Sequence, residues 1–247
     1  MEEDEASDGS SPQVAVILPT YCEAENIESL VHTIGDLEVN PTIVVIDDSS
    51  PDGTGDIVRK LQKNHSNLVL LTRSFKGGLG TAITDSFRFL LSLPSPPDYV
   101  VTMDADYSHD PQDVPKLLQK AREGYDIVVG SRYCSGGKVR GWDFKRIIIS
   151  RVANKATAKL VAFPISDFTS GFRCYSRSYI EEILPKLHSE TYEIQIETLR
   201  QARIHNAKVT ETPITFTNRK KGKSKLTKNE ILSFFVYMLR TMPKRSE

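Results

Sequence analysis

The chain has 247 residues, 39% of them hydrophobic and 26% charged, and its 32 basic and 32 acidic residues give no net charge at neutral pH. This composition indicates one large globular domain and excludes a fibrous or wholly disordered protein. Without net charge there is no bulk attraction for nucleic acid, so any charged site must arise from local clustering. Residues 1–12 are acidic, and we expect a disordered tail there.

The cysteines and the hydropathy pattern limit where the chain can work. Its three cysteines, Cys22, Cys134 and Cys174, contain no C-x-x-C pair, which favours a reducing compartment over a disulfide framework. We find no basic-then-apolar leader and no apolar run near the ~20 residues that span a bilayer. We therefore expect a chain that is soluble or bound peripherally to a membrane.

The first half of the chain alternates predicted strands with predicted helices. Strands are indicated by short apolar runs, and helices by apolar residues at helical spacing. The predicted strands are 14–18, 42–46, 68–71, 99–103 and 126–130, and the predicted helices are 27–37, 57–61, 77–90 and 114–121. The alternation predicts βαβ units, and therefore an α/β domain with a mostly parallel mixed sheet and helices on both faces.

The pattern changes beyond Gly130. A glycine-rich, basic loop over 133–141 is of the kind that moves or binds a ligand. It is followed by predicted helices over 142–163, 177–187 and 191–206 and a predicted strand over 208–216. The last predicted helix, 228–242, is apolar almost all round, so we expect it to dock in a core, on a membrane or against partner helices.

Two carboxylates, Asp104 and Asp106, directly follow the predicted strand 99–103. In open α/β sheets, ligands bind at the carboxyl ends of the strands. Carboxylates this close repel each other unless a cation neutralises them, and their hard oxygens suit Mg²⁺ or Mn²⁺ holding a diphosphate. Taken alone, an Asp-x-Asp pair is a weak signal, because it also occurs in solvent-facing loops and helix caps.

Polar clusters also follow two other predicted strands. Residues 19–26 come after the first strand, and Asp47 and Asp48 come after the second. Tyr21 can stack on a base, and carboxylates can accept hydrogen bonds from a base or from ribose hydroxyls. Although Asp47 and Asp48 could equally hold a turn, the three clusters together predict a nucleotide pocket at one edge of the sheet.

Seven motifs carry a resemblance to a known family. In chain order they are PTYCEAENI, VVIDDSSPDGT, MDADYSHDP, VVGSRYCSGG, GWDFKR, SDFTSGFRCY and NRKKGKSKL. Together they resemble the dolichyl-phosphate mannosyltransferases, inverting glycosyltransferases of family 2 with a GT-A fold, over residues 14–235. The resemblance implies a metal-dependent transfer of mannose from GDP-mannose to dolichyl phosphate. The product, dolichyl phosphate mannose, would serve protein glycosylation and GPI-anchor pathways.

The resemblance also assigns residues to subsites. The implied donor-binding residues are Pro19, Tyr21, Glu23, Ile46, Asp48, Asp104, Ala105, Asp106, Arg132, Arg219 and Lys225. The implied ligands of Mg²⁺ or Mn²⁺ are Asp104, Asp106 and Ser108, where some relatives have glutamine in place of the serine. The implied acceptor-phosphate residues are Arg146, Arg219 and Ser224, and the implied catalytic residues are Asp106, Arg146 and Arg219.

The basic residues suit phosphate groups for a physical reason. Guanidinium groups bind phosphate oxygens bidentately, and lysine adds a compact charge. The basic run 219–228 could also be a solvated face, or a patch that attracts anionic lipid, nucleic acid or an importin. We expect phosphate binding from Arg219 and Lys225 only, and surface or membrane-surface roles for the remaining lysines Lys220, Lys221 and Lys223.

The implied mechanism has no general base. A phosphate monoester has a second pKa near ~6, so the acceptor oxygen is already largely deprotonated and mainly needs to be positioned. The arginines would place it opposite the GDP leaving group. Asp167 is the rival candidate base, and we expect it instead to orient Arg173 or the loop at Ser170 and Gly171.

The expected organisation is an acidic tail (1–12), a GT-A domain (13–227) and a terminal docking helix (228–247). The resemblance implies small membrane subunits as partners and no nucleic acid. It places the chain on the cytosolic face of the endoplasmic reticulum membrane, or on the inner face of the plasma membrane if the chain is archaeal. The alternatives are a polyprenyl-phosphate transferase for glucose or another sugar, and a non-catalytic nucleotide-binding module.

Overall fold

A computed structural model describes residues 13–219 and Tyr237 of the chain. The predicted acidic tail over 1–12 lies outside the described residues, as do Ser224, Lys225 and the predicted terminal helix apart from Tyr237. Within the described part, no helix is long and apolar enough to cross a bilayer.

The described residues form nine strands in two sheets. The strands are β1 (Val14–Thr20), β2 (Thr42–Asp47), β3 (Leu68–Thr72), β4 (Tyr99–Thr102), β5 (Ile127–Ser131), β6 (Lys138–Arg140), β7 (Arg173–Ser176), β8 (Val209–Pro213) and β9 (Thr215–Thr217). Seven of them form a sheet in the order β3-β2-β1-β4-β7-β5-β8, and β6 pairs with β9. Only β7 runs antiparallel to its neighbours, so the predicted mostly parallel mixed sheet is confirmed.

Helices cover both faces of this sheet, as predicted. They are α1 (Ile27–Gly35), α2 (Thr54–Leu61), α3 (Leu79–Leu91), α4 (Val114–Ala121), α5 (Phe144–Val161), α6 (Arg177–Ile183) and α7 (Ile194–Ile204). Successive side chains of a strand point to opposite faces. Thus Ala15 and Ile17 of β1 share one core with residues of α3, α6 and α7, whereas Val16 and Leu18 share the other with residues of α1, α2 and α4.

The register of β1 brings three strand ends to one edge. Thr20 of β1 lies opposite Asp47 of β2, and Ile17 lies opposite Thr102 of β4. Since the three strands are parallel, the polar residues that follow them meet at the carboxyl edge of the sheet.

The predicted strand over 208–216 is instead two strands that belong to different sheets. Pro213 ends β8 because it has no N–H to continue the ladder. Ile214 then donates its N–H to Ser131 and accepts the N–H of Lys138, which starts β6 within the predicted loop 133–141. The parallel pair of β6 and β9 therefore leads the chain towards Arg219.

Candidate active site

A pocket opens where β1, β2 and β4 end. Residues of all three predicted polar clusters contribute to its wall: Pro19, Tyr21, Glu23, Ile46, Asp48, Asp104, Ala105 and Asp106. Arg219 closes the wall from the other end of the described chain. The structure therefore brings together every described residue of the predicted donor set except Arg132.

Asp47 and Asp48 have different environments. Asp47 is buried and accepts hydrogen bonds from Thr20 and Ser50, so it holds the turn after β2. Asp48 reaches the pocket. Its carboxylate accepts hydrogen bonds from Nε of Arg73 at 2.6 Å and from the backbone N–H of Gly77 at 3.1 Å. The turn-holding role considered for both aspartates thus applies to Asp47, whereas Asp48 ties the pocket wall to the loop after β3.

That loop contributes pocket residues that the sequence analysis missed. The Lys76 ammonium lies 4.6 Å from the centre of the Tyr21 ring, and Arg73 donates to the carbonyl of Gly78 at 3.0 Å. Gly78 has φ +93°, and a Cβ there would lie 2.4 Å from the carbonyl oxygen of Glu190. Basic residues beside glycines at the start of a helix were the available signal, because that combination is typical of phosphate-binding loops.

Asp106 links the pocket to the basic residues. Its side chain is nearly buried, with one oxygen accepting the N–H of Ser108 at 2.9 Å and the other 2.9 Å from Nη2 of Arg219. The side chain of Asp104 is more exposed, and its backbone N–H donates to Nδ1 of His109 at 3.2 Å. Burial lowers the pKa of His109 to about 4, which keeps the ring neutral and able to accept that hydrogen bond.

The carboxylates suit a divalent cation. Asp104 and Asp106 offer hard oxygen atoms, and the hydroxyl of Ser108 is buried without a hydrogen-bond partner within the described residues. Residues 13–219 contain no cluster of three or more His, Cys, Asp or Glu side chains placed to hold a metal. A cation here would therefore complete its coordination with diphosphate oxygens and water, as Mg²⁺ and Mn²⁺ commonly do.

Arg146 and Arg219 form the basic side of the site. Asp143 caps α5 by accepting the N–H of Arg146, whose guanidinium lies 4.2 Å from the centre of the Trp142 ring and donates to Asn218 at 3.2 Å. Burial, with repulsion from Arg219 and Arg132, lowers the pKa of Arg146. Positive charge gathered in this way beside Asp106 favours an anionic ligand.

Arg219 is held in place by β9. The N–H of Thr217 donates to the carbonyl of Ser108 at 3.0 Å, and the N–H of Asn218 donates to the carbonyl of Arg140 at 2.8 Å. These backbone bonds tie the end of β9 to the Asp106 loop on one side and to the end of β6 on the other. The salt bridge of Arg219 with Asp106 follows from that placement.

Arg132 and Asp167 form a buried ion pair, which corrects part of one expectation. Nε and Nη2 of Arg132 lie 2.6 and 2.7 Å from the carboxylate of Asp167, and Arg132 lines a second cavity beside α5. Arg132 is not among the residues that line the pocket at the strand ends, and its assignment to the donor stays a prediction. Of the two roles expected for Asp167, orienting Arg173 is wrong, because Arg173 is buried and donates to the carbonyls of Ser170, Gln195 and Phe168. The other role agrees with the structure, since Asp167 accepts the N–H of Thr169 at 3.3 Å, directly before the loop at Ser170 and Gly171.

The same ion pair makes Asp167 a poor base. Burial alone would raise the pKa of Asp167, but the charge of Arg132 and its hydrogen bonds hold that pKa below its usual range. A carboxylate whose lone pairs are occupied in this way has little capacity to accept another proton.

The chain is similar to known proteins over most of its length. The model of glycosyl transferase family 2 matches residues 15–184. Polyprenol monophosphomannose synthase of Mycolicibacterium smegmatis is 37% identical over 231 residues, which cover 93% of this chain and 86% of that protein. Undecaprenyl-phosphate mannosyltransferase of Micrococcus luteus is 35% identical over 217 residues, covering 87% and 88%.

A solved structure gives the fold comparison. Glucosyl-3-phosphoglycerate synthase from Mycobacterium tuberculosis, in complex with Mn²⁺, UDP and phosphoglyceric acid, superposes with a TM-score of 0.65. The sequence identity is 20%, and the match covers 95% of this chain and 80% of that chain. At this identity, the likeness supports the fold alone.

Proposed function

The chain belongs to glycosyltransferase family 2 and has a single GT-A domain, and on that premise we propose that it transfers mannose from GDP-mannose to dolichyl phosphate with inversion. The observation that carries the proposal is the position of Arg146 and Arg219 beside Asp106, at the end of a pocket lined by Tyr21 and Asp48. The names of the two relatives support mannose and a polyprenyl phosphate. We further propose that the product feeds protein glycosylation and GPI-anchor synthesis.

The donor half of the mechanism uses the strand ends. Tyr21 offers a ring for stacking on guanine, with Lys76 close to that ring. Asp48, held by Arg73, would contribute to the wall around the guanosine part of the donor. A divalent Mg²⁺ or Mn²⁺ held by Asp104 and Asp106 would neutralise charge on the departing diphosphate.

The acceptor half uses the arginines. Arg146 and Arg219 would hold the lipid phosphate by bidentate hydrogen bonds and orient one of its oxygens towards the anomeric carbon. That oxygen is largely deprotonated at neutral pH, so no protein base is required. The engagement of Asp167 with Arg132 is consistent with this scheme.

A donor panel tests the proposal. GDP-mannose, UDP-glucose and UDP-N-acetylglucosamine are each offered with dolichyl phosphate, with and without Mn²⁺. We expect transfer from GDP-mannose and its loss when EDTA removes the cation. Transfer from a UDP-sugar alone would contradict the proposal.

The acceptor has a second candidate. The named relatives include an undecaprenyl-phosphate mannosyltransferase, so a fully unsaturated polyprenyl phosphate is the alternative to dolichyl phosphate. A competition assay with both lipids at equal concentration measures the ratio of kcat/KM values. A ratio above one for dolichyl phosphate supports the primary proposal, and a ratio below one favours the alternative.

We propose a peripheral position on the cytosolic face of the endoplasmic reticulum membrane, or on the inner face of an archaeal plasma membrane. Small membrane subunits would anchor the chain there. Fractionation of cells with and without such subunits, followed by detection of the chain in membrane and soluble fractions, tests the proposal. An unchanged distribution would contradict the role of the subunits.

A further inference from the structure

The first half of α5 carries an exposed apolar stripe. It consists of Phe144, Ile148, Ile149 and Val152, which are 76, 46, 67 and 61% exposed. Only two other large apolar side chains of the described residues, Phe75 and Ile204, are as open to solvent. Such a concentration on one element differs from scattered surface residues and marks an interaction surface.

The stripe lies opposite the face by which α5 packs on the protein. Phe144, Ile148 and Val152 follow one another at four-residue intervals, so they lie along one side of the helix. Asn154 and Thr157, on the other side, are buried. The apolar stripe therefore faces away from the core and does not belong to its edge.

The charges on α5 are all of one sign. Its basic residues are Lys145, Arg146, Arg151, Lys155 and Lys159, and no acidic residue occurs between 144 and 161. Cations that flank an apolar stripe are attracted to the phosphate groups of anionic lipid. We propose that this face of α5 docks on a bilayer of anionic phospholipid, with the stripe inserted among the acyl chains.

The docking proposal rests on the proposed function and extends it, because the stripe lies close to the arginine that would bind the acceptor phosphate. Arg146 belongs to the same helix, and Ile149 lies three residues further on, about 4.5 Å along the axis. A lipid phosphate bound by Arg146 would keep its isoprenoid chain beside the stripe. Docking in this orientation would let the acceptor reach the site without leaving the bilayer.

The predicted terminal helix is a different candidate for the same role, and its one described residue is elsewhere. Tyr237 packs against the core that α7 contributes to, and it hydrogen-bonds Arg200 of α7. The stripe on α5 remains exposed with Tyr237 in that position. The proposal therefore rests on residues of α5 alone.

Vesicle cosedimentation with the full chain tests the proposal. Vesicles of phosphatidylcholine, with or without phosphatidylglycerol, are mixed with the wild type and with the double variant Ile149→Ser, Val152→Ser. Ile204→Ser is the matched control, because Ile204 is also an exposed isoleucine, 58% open to solvent, but ends α7. A second variant, Lys145→Gln with Lys159→Gln, removes charge without touching the stripe.

We expect the wild type and Ile204→Ser to bind the anionic vesicles equally, and the double serine variant to bind about tenfold more weakly. The charge variant should bind the anionic vesicles more weakly than the wild type. This difference should become smaller in high salt, which screens the attraction between charges. Wild-type-like binding by the double serine variant would overturn the proposal. Concentration-dependent dimers that the double variant loses would also overturn it, because the stripe would then be an interface between copies.

Activity on a short, water-soluble isoprenyl phosphate separates this inference from the proposed function. The double serine variant should keep wild-type turnover with that acceptor and lose turnover with dolichyl phosphate in vesicles. Absence of transfer to either acceptor by the wild type, with vesicle binding intact, would refute the proposed function and leave the docking surface standing.

Discussion

The salt bridge between Asp106 and Arg219 joins the two halves of the proposed site. Asp106 follows β4 in the donor half, whereas Arg219 follows β9 and lies near Arg146. A phosphate that approaches both arginines would compete with Asp106 for the Arg219 guanidinium. At the scale of single residues, the main expectation is that these two arginines act on the acceptor together.

Replacing either arginine should therefore reduce catalysis strongly. We expect Arg146→Gln or Arg219→Gln to lower kcat/KM for the lipid phosphate about 100-fold or more, because each removes a charge aimed at the transferring group. Lysine at either position should restore only part of the loss, since it lacks the bidentate geometry. Steady-state kinetics with Arg59→Gln, an exposed arginine paired with Asp56, provides the control. A loss no larger than in that control would contradict the assignment.

Asp167→Asn distinguishes a structural carboxylate from a catalytic base. The variant removes the charge partner of the buried Arg132, and we expect the free energy of unfolding to fall by about 3 kcal/mol. Urea denaturation measures this change. If the variant instead kept wild-type stability and lost all turnover with unchanged KM values, Asp167 would be the base and the base-free mechanism would fail.

His109 gives a pH dependence with a defined sign. Burial lowers its folded-state pKa from 6.5 to about 4, so between these values the unfolded chain binds a proton that the folded chain does not. Stability should fall by about 3 kcal/mol through this histidine as pH drops from 6.5 to 4. In urea denaturation with a chelator present, His109→Gln should lose less stability than the wild type over that range. Equal losses would contradict the low pKa.

The sequence predicted the residues at strand ends better than the residues that support them. Tyr21, Asp48 and Asp106 could be predicted because they come soon after apolar strands, and parallel strands end at a common edge. Arg73 and His109 could not be predicted, because their roles depend on contacts with Asp48 and with the backbone of Asp104 that only the folded chain creates.

At the scale of elements, the loop from β3 to α3 sets one wall of the pocket. Gly78→Ala should weaken donor binding and raise the donor KM, because its Cβ would collide with the carbonyl of Glu190 and shift the loop that Asp48 holds. Gly124→Ala is the matched control, since Gly124 has φ +90° with nothing within 4 Å of an added Cβ. Gly124→Ala should lose about 1 kcal/mol from backbone strain alone, whereas Gly78→Ala should lose more because of the collision, and only Gly78→Ala should change the donor KM. Equal KM values would exclude a role for this loop in donor binding.

Strands and helices were predicted well where the spacing of apolar residues within one short segment was enough to identify them. The first five strands and the four helices between them agree with the structure within a few residues. The pairing of β6 with β9 was missed, because β6 is three residues long and its partner lies more than 70 residues away. The proline that separates β8 from β9 was visible at position 213, but the strand signal on either side concealed its effect.

At the scale of the whole molecule, the strand order divides the proposed reaction between two parts of the chain. Parallel strands β1, β2 and β4 provide the donor pocket, whereas Arg146 of α5 and Arg219 after β9 provide the basic side. Antiparallel β7 lies between β4 and β5 and joins the strands of the donor pocket to β5 and β8, after which the chain continues through β9 to Arg219. The α/β class followed from the alternation of elements, but the place of β7 did not, because sequence patterns carry no information about strand order.

The central claim is an inverting transfer of mannose to a polyprenyl phosphate, and the anomeric configuration of the product tests it most directly. Purified chain is incubated with GDP-mannose, whose mannose is α-linked, dolichyl phosphate and Mg²⁺, and the lipid product is analysed by NMR. We predict a β-linked mannosyl phosphate, formed by the wild type and lost in Arg219→Gln. An α-linked product, or no mannosyl lipid at all, would contradict the account.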